Sequence, residues 1–322
     1  MTDTSGRTAA SPWAIPAKGW LAVLKRSWAE MGKDNLTLIA SGVAFYAFLA
    51  LVPLLGAIVL TYGLVAEPSS VVQHFQQLST MLPADAARLI GEQLMNVVNT
   101  AGNKKGFGLL LALLLAFWGA TKATGAIVTA LNITYEEEET RGFVKRTALN
   151  LAMVLGAVLA VGVAMAAITI FSQVERLIPG APGIVLLLIR LVSWVALALL
   201  AAGGAAAVYR YAPDRDNAKW RWLTPGSVFA AVAWGALTAG FGVYVANFGN
   251  YNATYGSLGA VVVLLTWLYL TALLLLLGAE LNAELEHQTE RDTTEGPDRP
   301  LGLRGAEMAD RVAPKEETHG RA

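Results

Sequence analysis

The sequence has no cysteine and only three histidines, His74, His287 and His319. Without cysteine there is no disulfide, no thiolate metal site, no CxxCH haem attachment and no cysteine nucleophile. The histidines are scattered and not at ligand spacing, so metal and acid–base catalysis have few candidates. Charge is scarce as well: Asp, Glu, Lys and Arg make up 15%, against about 25% in soluble proteins. The 24 basic and 24 acidic residues cancel, which speaks against a nucleic-acid partner. Apolar residues are abundant, at 55% of 322 residues with 31 glycines besides. A soluble core cannot bury that much, so the surplus must face lipid. No catalytic residue, metal or cofactor is expected.

A bilayer core about 30 Å thick needs roughly 20 apolar helical residues. Stretches of that kind lie at 36–65, 108–131, 147–174 and 184–208, interrupted only by Lys122 and Arg190. The following uncharged run, Trp222–Ala279, is too long for one helix. Its polar centre, Gly249-Asn-Tyr-Asn-Ala-Thr-Tyr-Gly-Ser257, is turn-forming and divides it into 223–248 and 257–281. The expected fold class is all-α: a polytopic integral membrane protein with six transmembrane helices over 36–284.

Lys and Arg cluster in the N-terminal tail (Arg7, Lys18, Lys25, Arg26, Lys33) and in the loops after the second and fourth spans, including Arg141, Lys145, Arg146, Arg210, Arg215, Lys219 and Arg221. That asymmetry predicts cytoplasmic N- and C-termini. Residues 1–35 are expected to form a cytoplasmic tail without a cleavable leader. Its stretch Ile15–Lys33 carries Trp20, Val23, Leu24, Trp28 and Met31 on one side, which suits an interfacial helix or a short helix packed on the bundle. Residues 66–107 are expected to be an extracytoplasmic loop with two short amphipathic helices. Residues 285–322, rich in Glu, Arg, Asp, Pro and Gly, read as a disordered cytoplasmic tail.

Ionisable residues within spans are costly and usually turn inward. Lys122 shares a helical stripe with Gly125, Thr129 and Asn132, at steps of three and four. The stripe predicts a cavity lining or a polar seam between helices, with Glu280 as carboxylate partner; a buried structural ion pair is the alternative. Arg190 lies near enough to its helix end to snorkel. Pro53 would kink the first span. Gly235, Ala239, Gly242 and Ala246 give the fifth span a small-residue face for close packing.

Several motifs together resemble one family. They are Ala44-Phe-Tyr-Ala-Phe-Leu-Ala-Leu-Val-Pro53, Tyr209-Arg-Tyr-Ala-Pro213, Trp222-Leu-Thr-Pro-Gly226, Tyr255-Gly-Ser-Leu-Gly-Ala260, Trp267-Leu-Tyr269 and Leu277-Gly-Ala-Glu-Leu-Asn282. The set is similar to the YihY/virulence factor BrkB family, from about Trp20 to Glu284. The resemblance implies a multi-pass protein of the bacterial inner (plasma) membrane, and it makes Tyr255 a further candidate. Some family members carry an old ribonuclease BN label. The residues argue against a ribonuclease here, because a tRNA nuclease needs a metal or acid–base cluster and a basic face. The expected function is therefore non-enzymatic: a transporter or exporter of a lipid or anionic solute for the cell envelope. A non-transporting scaffold or accessory subunit is the alternative. Membrane lipids are the expected partners, and a homo-oligomer is compatible with the sequence.

Overall fold

The computed structural model describes residues 5–62, 107–177, 182–248 and 257–314, with a few single positions between 79 and 95. The expected loop helices of 66–107 lie largely outside the described residues, as does Tyr255; Pro53 is described by its backbone alone. The described residues form α1 (Ala17–Lys33), α2 (Leu36–Tyr62), α3 (Phe107–Thr134), α4 (Phe143–Leu177), α5 (Gly183–Tyr211), α6 (Trp220–Phe248), α7 (Ser257–His287) and a one-turn α8 (Glu307–Asp310).

Helices α2 to α7 are apolar all round, the pattern of segments whose outer face meets hydrocarbon rather than water. Among the described residues, four stretches are long and apolar enough to cross a membrane: Phe143–Phe171, Gly183–Tyr211, Trp220–Tyr244 and Gly259–His287. A fifth is reached if α1 and Leu36–Leu51, which meet at 65°, count as one bent pair. α1 carries Lys18, Lys25, Arg26, Glu30 and Lys33, so α2 is the apolar partner in that pair. The bend is made at Asn35, whose φ of 52° is a left-handed conformation that Asn tolerates better than most residues. α3 ends the same way, with Glu136 at φ 55° and the Glu137 amide bonded back to the Asn132 carbonyl at 2.8 Å.

Each of the six long helices packs on the next, α2 on α3, α3 on α4, α4 on α5, α5 on α6 and α6 on α7, and α7 returns to α2. The two ends of this ring differ. At one end, Leu36, Val128, Leu131, Tyr135, Tyr209, Leu223, Leu276 and Ala279 fill a common buried core. At the other, the buried core comes from α6 and α7 (Phe241, Ala260, Val263, Leu264, Trp267), with α2 residues against it. The close approach of α6 to α7 occurs at Gly226 and Gly278. A Cβ on Gly278 would lie 2.6 Å from the Gly226 carbonyl oxygen, and Asn282 locks the crossing by accepting from the Gly226 amide at 2.8 Å. The expected small-residue face of α6 is not used in this way, since Gly235 and Gly242 have open space around them.

The segment expected to be a disordered tail is folded over residues 288–314, which corrects the sequence expectation. Thr289, Thr293, Thr294, Arg304, Met308 and Ala309 are buried there. Its composition is polar, but its backbone is satisfied by specific partners rather than by water. Arg304 donates to the carbonyls of Arg299, Arg291, Ala309 and Glu290. Asp310 accepts from the amides of Gly302, Arg304 and Gly305. The N-terminal segment is stitched into the same cap: Arg7 donates to Glu290 at 3.0 Å and to the Ala313 carbonyl at 2.7 Å. α1 joins it through buried Gly19, Val23 and Ser27 and the Arg26–Glu284 pair. The opposite side of α1 leaves Leu21, Leu24 and Trp28 exposed. Packing on the bundle and an open apolar face therefore coexist in one helix.

Candidate functional site

The expected seam residues are distributed over different surroundings. Lys122 is exposed on the bundle surface. No ion pair formed among the described residues includes it. Glu280 is 1% exposed, and the charges that act on it are Asp34, Glu284, Glu30 and Glu136. The expected Lys122–Glu280 pairing is therefore not made. The reason is angular: at about 100° per residue, Lys122 falls well away from Val128, Leu131 and Tyr135, the α3 residues that enter the shared core. Thr129 is exposed and accepts from Arg146 Nη2 at 2.8 Å. Asn132 is buried, donating to Glu139 at 3.0 Å and accepting from the Asp214 amide at 2.8 Å. Gly125 faces Asn150, whose Nδ2 would stand 3.3 Å from an added Cβ. Arg190 is exposed on α5.

What the structure does assemble around Lys122 is a cleft between α3 and α4. The two helices are joined on the cap side, by Arg146 to Thr129 and by Asn150 Nδ2 to the Thr121 carbonyl at 3.4 Å. Beyond Thr121, away from the cap, α3 exposes Leu110, Leu111, Leu114, Leu115, Phe117 and Trp118. Over the same distance α4 exposes Leu155, Val158, Leu159, Val161 and Val163, residues that occupy most of its circumference. Gly119 keeps α3 against α2, because a Cβ there would stand 3.0 Å from Ala50 Cα. α3 thus stays on α2 while α4 follows α5, and the space between them is walled by hydrocarbon side chains. Asn150 sits at its closed end, buried, with Oδ1 lacking a hydrogen-bond partner among the described residues.

The second polar concentration lies where the helices meet the cap. Arg215 and Glu286 pair at 2.6 Å with side chains only 2% and 0% exposed. Thr293 donates to the same Glu286 oxygen at 2.6 Å, and the Arg215 guanidinium lies 4.9 Å from the Tyr135 ring centre. Burial, with Glu286 adding to it, pushes the Tyr135 phenol above its ordinary range. Nearby, burial raises the Glu137 carboxyl to about 7 and the Asp34 carboxyl to about 6, with Glu30 and Glu136 adding to the latter. Asp214 behaves oppositely. Burial acts against its charge, but hydrogen bonds from the Thr140 amide and hydroxyl at 2.6 and 2.7 Å hold it below the usual range.

Sequence reasoning used Arg210 and Arg215 only as counters for orientation, and so missed this cluster. The available signal was an apolar helix ending in Glu280, Glu284 and Glu286 beside a loop holding Arg210, Arg215, Lys219 and Arg221. Acidic and basic runs of that kind, both at helix ends, are placed to neutralise one another. Among the described residues no group of three or more His, Cys, Asp or Glu has the geometry to hold a metal ion.

Comparison with known proteins gives a family match over residues 27–301, to the profile described as virulence factor BrkB. The chain is 31% identical over 259 residues to the ribonuclease-like protein YfkH of Bacillus subtilis, covering 79% of this chain and 91% of that protein. It is 28% identical over 272 residues to a UPF0761 membrane protein of Nitrosospira multiformis, covering 82% of this chain and 61% of that one. A UPF0761 membrane protein of Laribacter hongkongensis is 29% identical over 269 residues, covering 81% and 60%. The chain thus spans about three fifths of the length of these two relatives. No solved structure matches.

Proposed function

The chain belongs to the virulence factor BrkB family of membrane proteins, and from that premise we propose that it is a six-span inner-membrane exporter that moves a lipid towards the cell envelope. The observation that carries this reading is the cleft between α3 and α4, apolar along its walls and closed on the cap side. An acyl chain is the natural occupant of such a cleft, since lipid-facing walls offer no hydrogen bonds to a soluble solute. The Lys and Arg count puts the cap in the cytoplasm, so the closed end faces the cytoplasm and the splayed end faces outward. This is the arrangement an alternating-access device needs in one of its states.

The cap supplies the other requirement, a barrier that can exist in two arrangements. Arg215–Glu286 is a buried pair whose desolvation offsets much of its Coulomb attraction. Such a contact is specific when closed without being strongly stabilising, which suits a gate. In this reading the protein is not an enzyme and has no ribonuclease activity. The name of the Bacillus relative is set against a metal-poor, cysteine-free chain whose basic loop residues are spent on internal ion pairs. A scaffold role is the second reading, favoured by the breadth of apolar surface on α4 and α5, which could seat another membrane protein.

Reconstituted vesicles decide between them. Phospholipid with a fluorescent headgroup is placed in both leaflets, and a membrane-impermeant reductant bleaches the outer one. Export predicts bleaching beyond half in vesicles containing the protein, slowed by Leu114→Arg in the cleft wall. Bleaching that stops at half, as in protein-free vesicles, removes the transport reading and leaves the scaffold. Incubation of the same preparation with precursor tRNA and Mg²⁺ or Mn²⁺ is expected to leave the RNA intact.

A further inference from the structure

The cleft has a chemical polarity that narrows what it takes. Leu111, Leu115, Trp118 and Lys122 are all exposed and recur at steps of four, three and four, so they form one stripe along α3. Three apolar side chains end in one ammonium. Lys122 stands twelve residues before Thr134 and fifteen after Phe107, about 18 Å and 22 Å from the two helix ends. That is close to mid-membrane, beyond the comfortable reach of snorkelling to either surface.

A cation at that depth requires an anion, and no described carboxylate supplies one. A second cation leads towards it from the cap side. Arg146 is bonded to Thr129 at 2.8 Å, and Thr129 lies seven residues from Lys122, about 10 Å along the helix. Between the two levels stands Asn150, buried and with its Oδ1 unpartnered among the described residues. Two cations spaced along an apolar wall, with a free acceptor between them, match an anionic headgroup that descends from the cap side while its acyl chains lie on leucine.

We propose that Lys122 binds the phosphate of an anionic phospholipid in the α3–α4 cleft, with the acyl chains along Leu111, Leu115 and Trp118. This deepens the export reading by naming the substrate class, and it rests on that reading only for what happens after binding. Arg146 is the first phosphate contact, at the level of the cap, and Lys122 the second, near the bilayer centre. A phosphate held there is midway between leaflets, the position an exported lipid must pass. The lysine ammonium and the phosphate form a charge-assisted contact whose strength grows in the low dielectric of the cleft.

The test separates binding from movement. Delipidated protein in detergent is titrated with phosphatidylglycerol and with phosphatidylcholine of the same chains, and bound lipid is counted by native mass spectrometry. Phosphatidylglycerol is expected to bind at least about tenfold more tightly, the worth of one hydrogen bond to a charged group. Lys122→Gln is expected to erase that preference without lowering the melting temperature, since no described ion pair is lost. Lys122→Arg keeps the preference, and Lys25→Gln on α1 leaves it untouched. Inorganic phosphate should not displace the lipid, because the chains hold it as well; ready displacement would mean a free-anion site and overturn the proposal. Equal affinity for the two lipids, or a preference that survives Lys122→Gln, also overturns it, even if vesicles still translocate lipid. Conversely, a Lys122-dependent preference without translocation upholds the proposal and removes only the export reading.

Discussion

The α6–α7 crossing gives a stability prediction whose sign reverses within one pair of helices. Gly278→Ala adds a methyl 2.6 Å from the Gly226 carbonyl oxygen, 2.5 Å from the Tyr209 hydroxyl and 3.0 Å from Ala230 Cβ. Two of these neighbours cannot yield easily: one is backbone, and the other is tied to the Leu275 carbonyl by a 2.7 Å hydrogen bond. Ordinary contact needs roughly 3.2 Å or more, so the helices must part by about half an ångström or the tyrosine must let go. Overpacking of this kind costs about 1–3 kcal/mol, and loss of the buried tyrosine bond adds about 1 kcal/mol. The expected total is about 2–4 kcal/mol. Gly235→Ala on α6 meets nothing within 4 Å and removes a residue of low helix propensity, so its effect should be neutral or slightly stabilising. Unfolding in mixed micelles with increasing SDS, followed by circular dichroism, measures both. A Gly278→Ala protein as stable as wild type, or a Gly235→Ala protein that loses as much, would refute the packing argument.

Other outcomes follow from the cap. Arg215→Met should destabilise the protein by about 3–5 kcal/mol, because Glu286 is left buried and unpaired, and adding Glu286→Gln should recover much of the loss; SDS titration of the four proteins reads the coupling. The carboxyls of Asp34 and Glu137 are raised to about 6 and 7, so the folded state holds protons that the unfolded chain has released. Stability should therefore fall as pH rises from about 4 to about 7, and Asp34→Asn with Glu137→Gln should raise Tm at pH 8 far more than at pH 4. A pH-independent gain would show that these groups are not the cause. Residues 288–314 should resist trypsin in the native protein, and Arg304→Met, which leaves four carbonyls without their donor, should open them to cleavage. Because the chain has no cysteine, single cysteines report orientation: Gly183→Cys should label from outside intact cells, and Asp298→Cys only after permeabilisation.

The helical segments were legible because hydropathy and charge act locally. Apolar runs at 108–131 and 184–208 correspond to α3 and α5 within a few residues at each end, and Lys and Arg mark the surfaces between them. The polar segment 288–314 was not legible, because its order depends on partners far away in sequence. Arg304 is an ordinary charged residue until four carbonyls are folded around it. The Lys122 stripe was half legible. Its spacing identified a face of α3, but sequence periodicity carries no absolute direction, and the face that joins the core turned out to be that of Val128, Leu131 and Tyr135. The pairing with Glu280 failed for that reason. Gly226 and Gly278 were hidden among 31 glycines, and only the crossing of two helices distinguishes them from Gly235 and Gly242.

The stitching of residues 5–15 to residues 288–313 has a consequence for biosynthesis. Arg7 and Glu290 are 283 positions apart, so the first segment to leave the ribosome waits for one of the last. At translation rates of about 5–20 residues per second, that interval is roughly 15–60 s. During it, Ile15 and Val23, both buried in the finished molecule, have no partner on α7, and α1 is free to lie along the lipid headgroups by its apolar side. The nascent chain therefore passes through a period in which its first helix is a membrane-surface peptide and its helices are inserted but unsealed. A ribosome that stalls before the codon for Glu290 releases a product with every hydrophobic helix in place and no closure on its cytoplasmic side, a distinguishable target for a membrane protease that inspects loose ends.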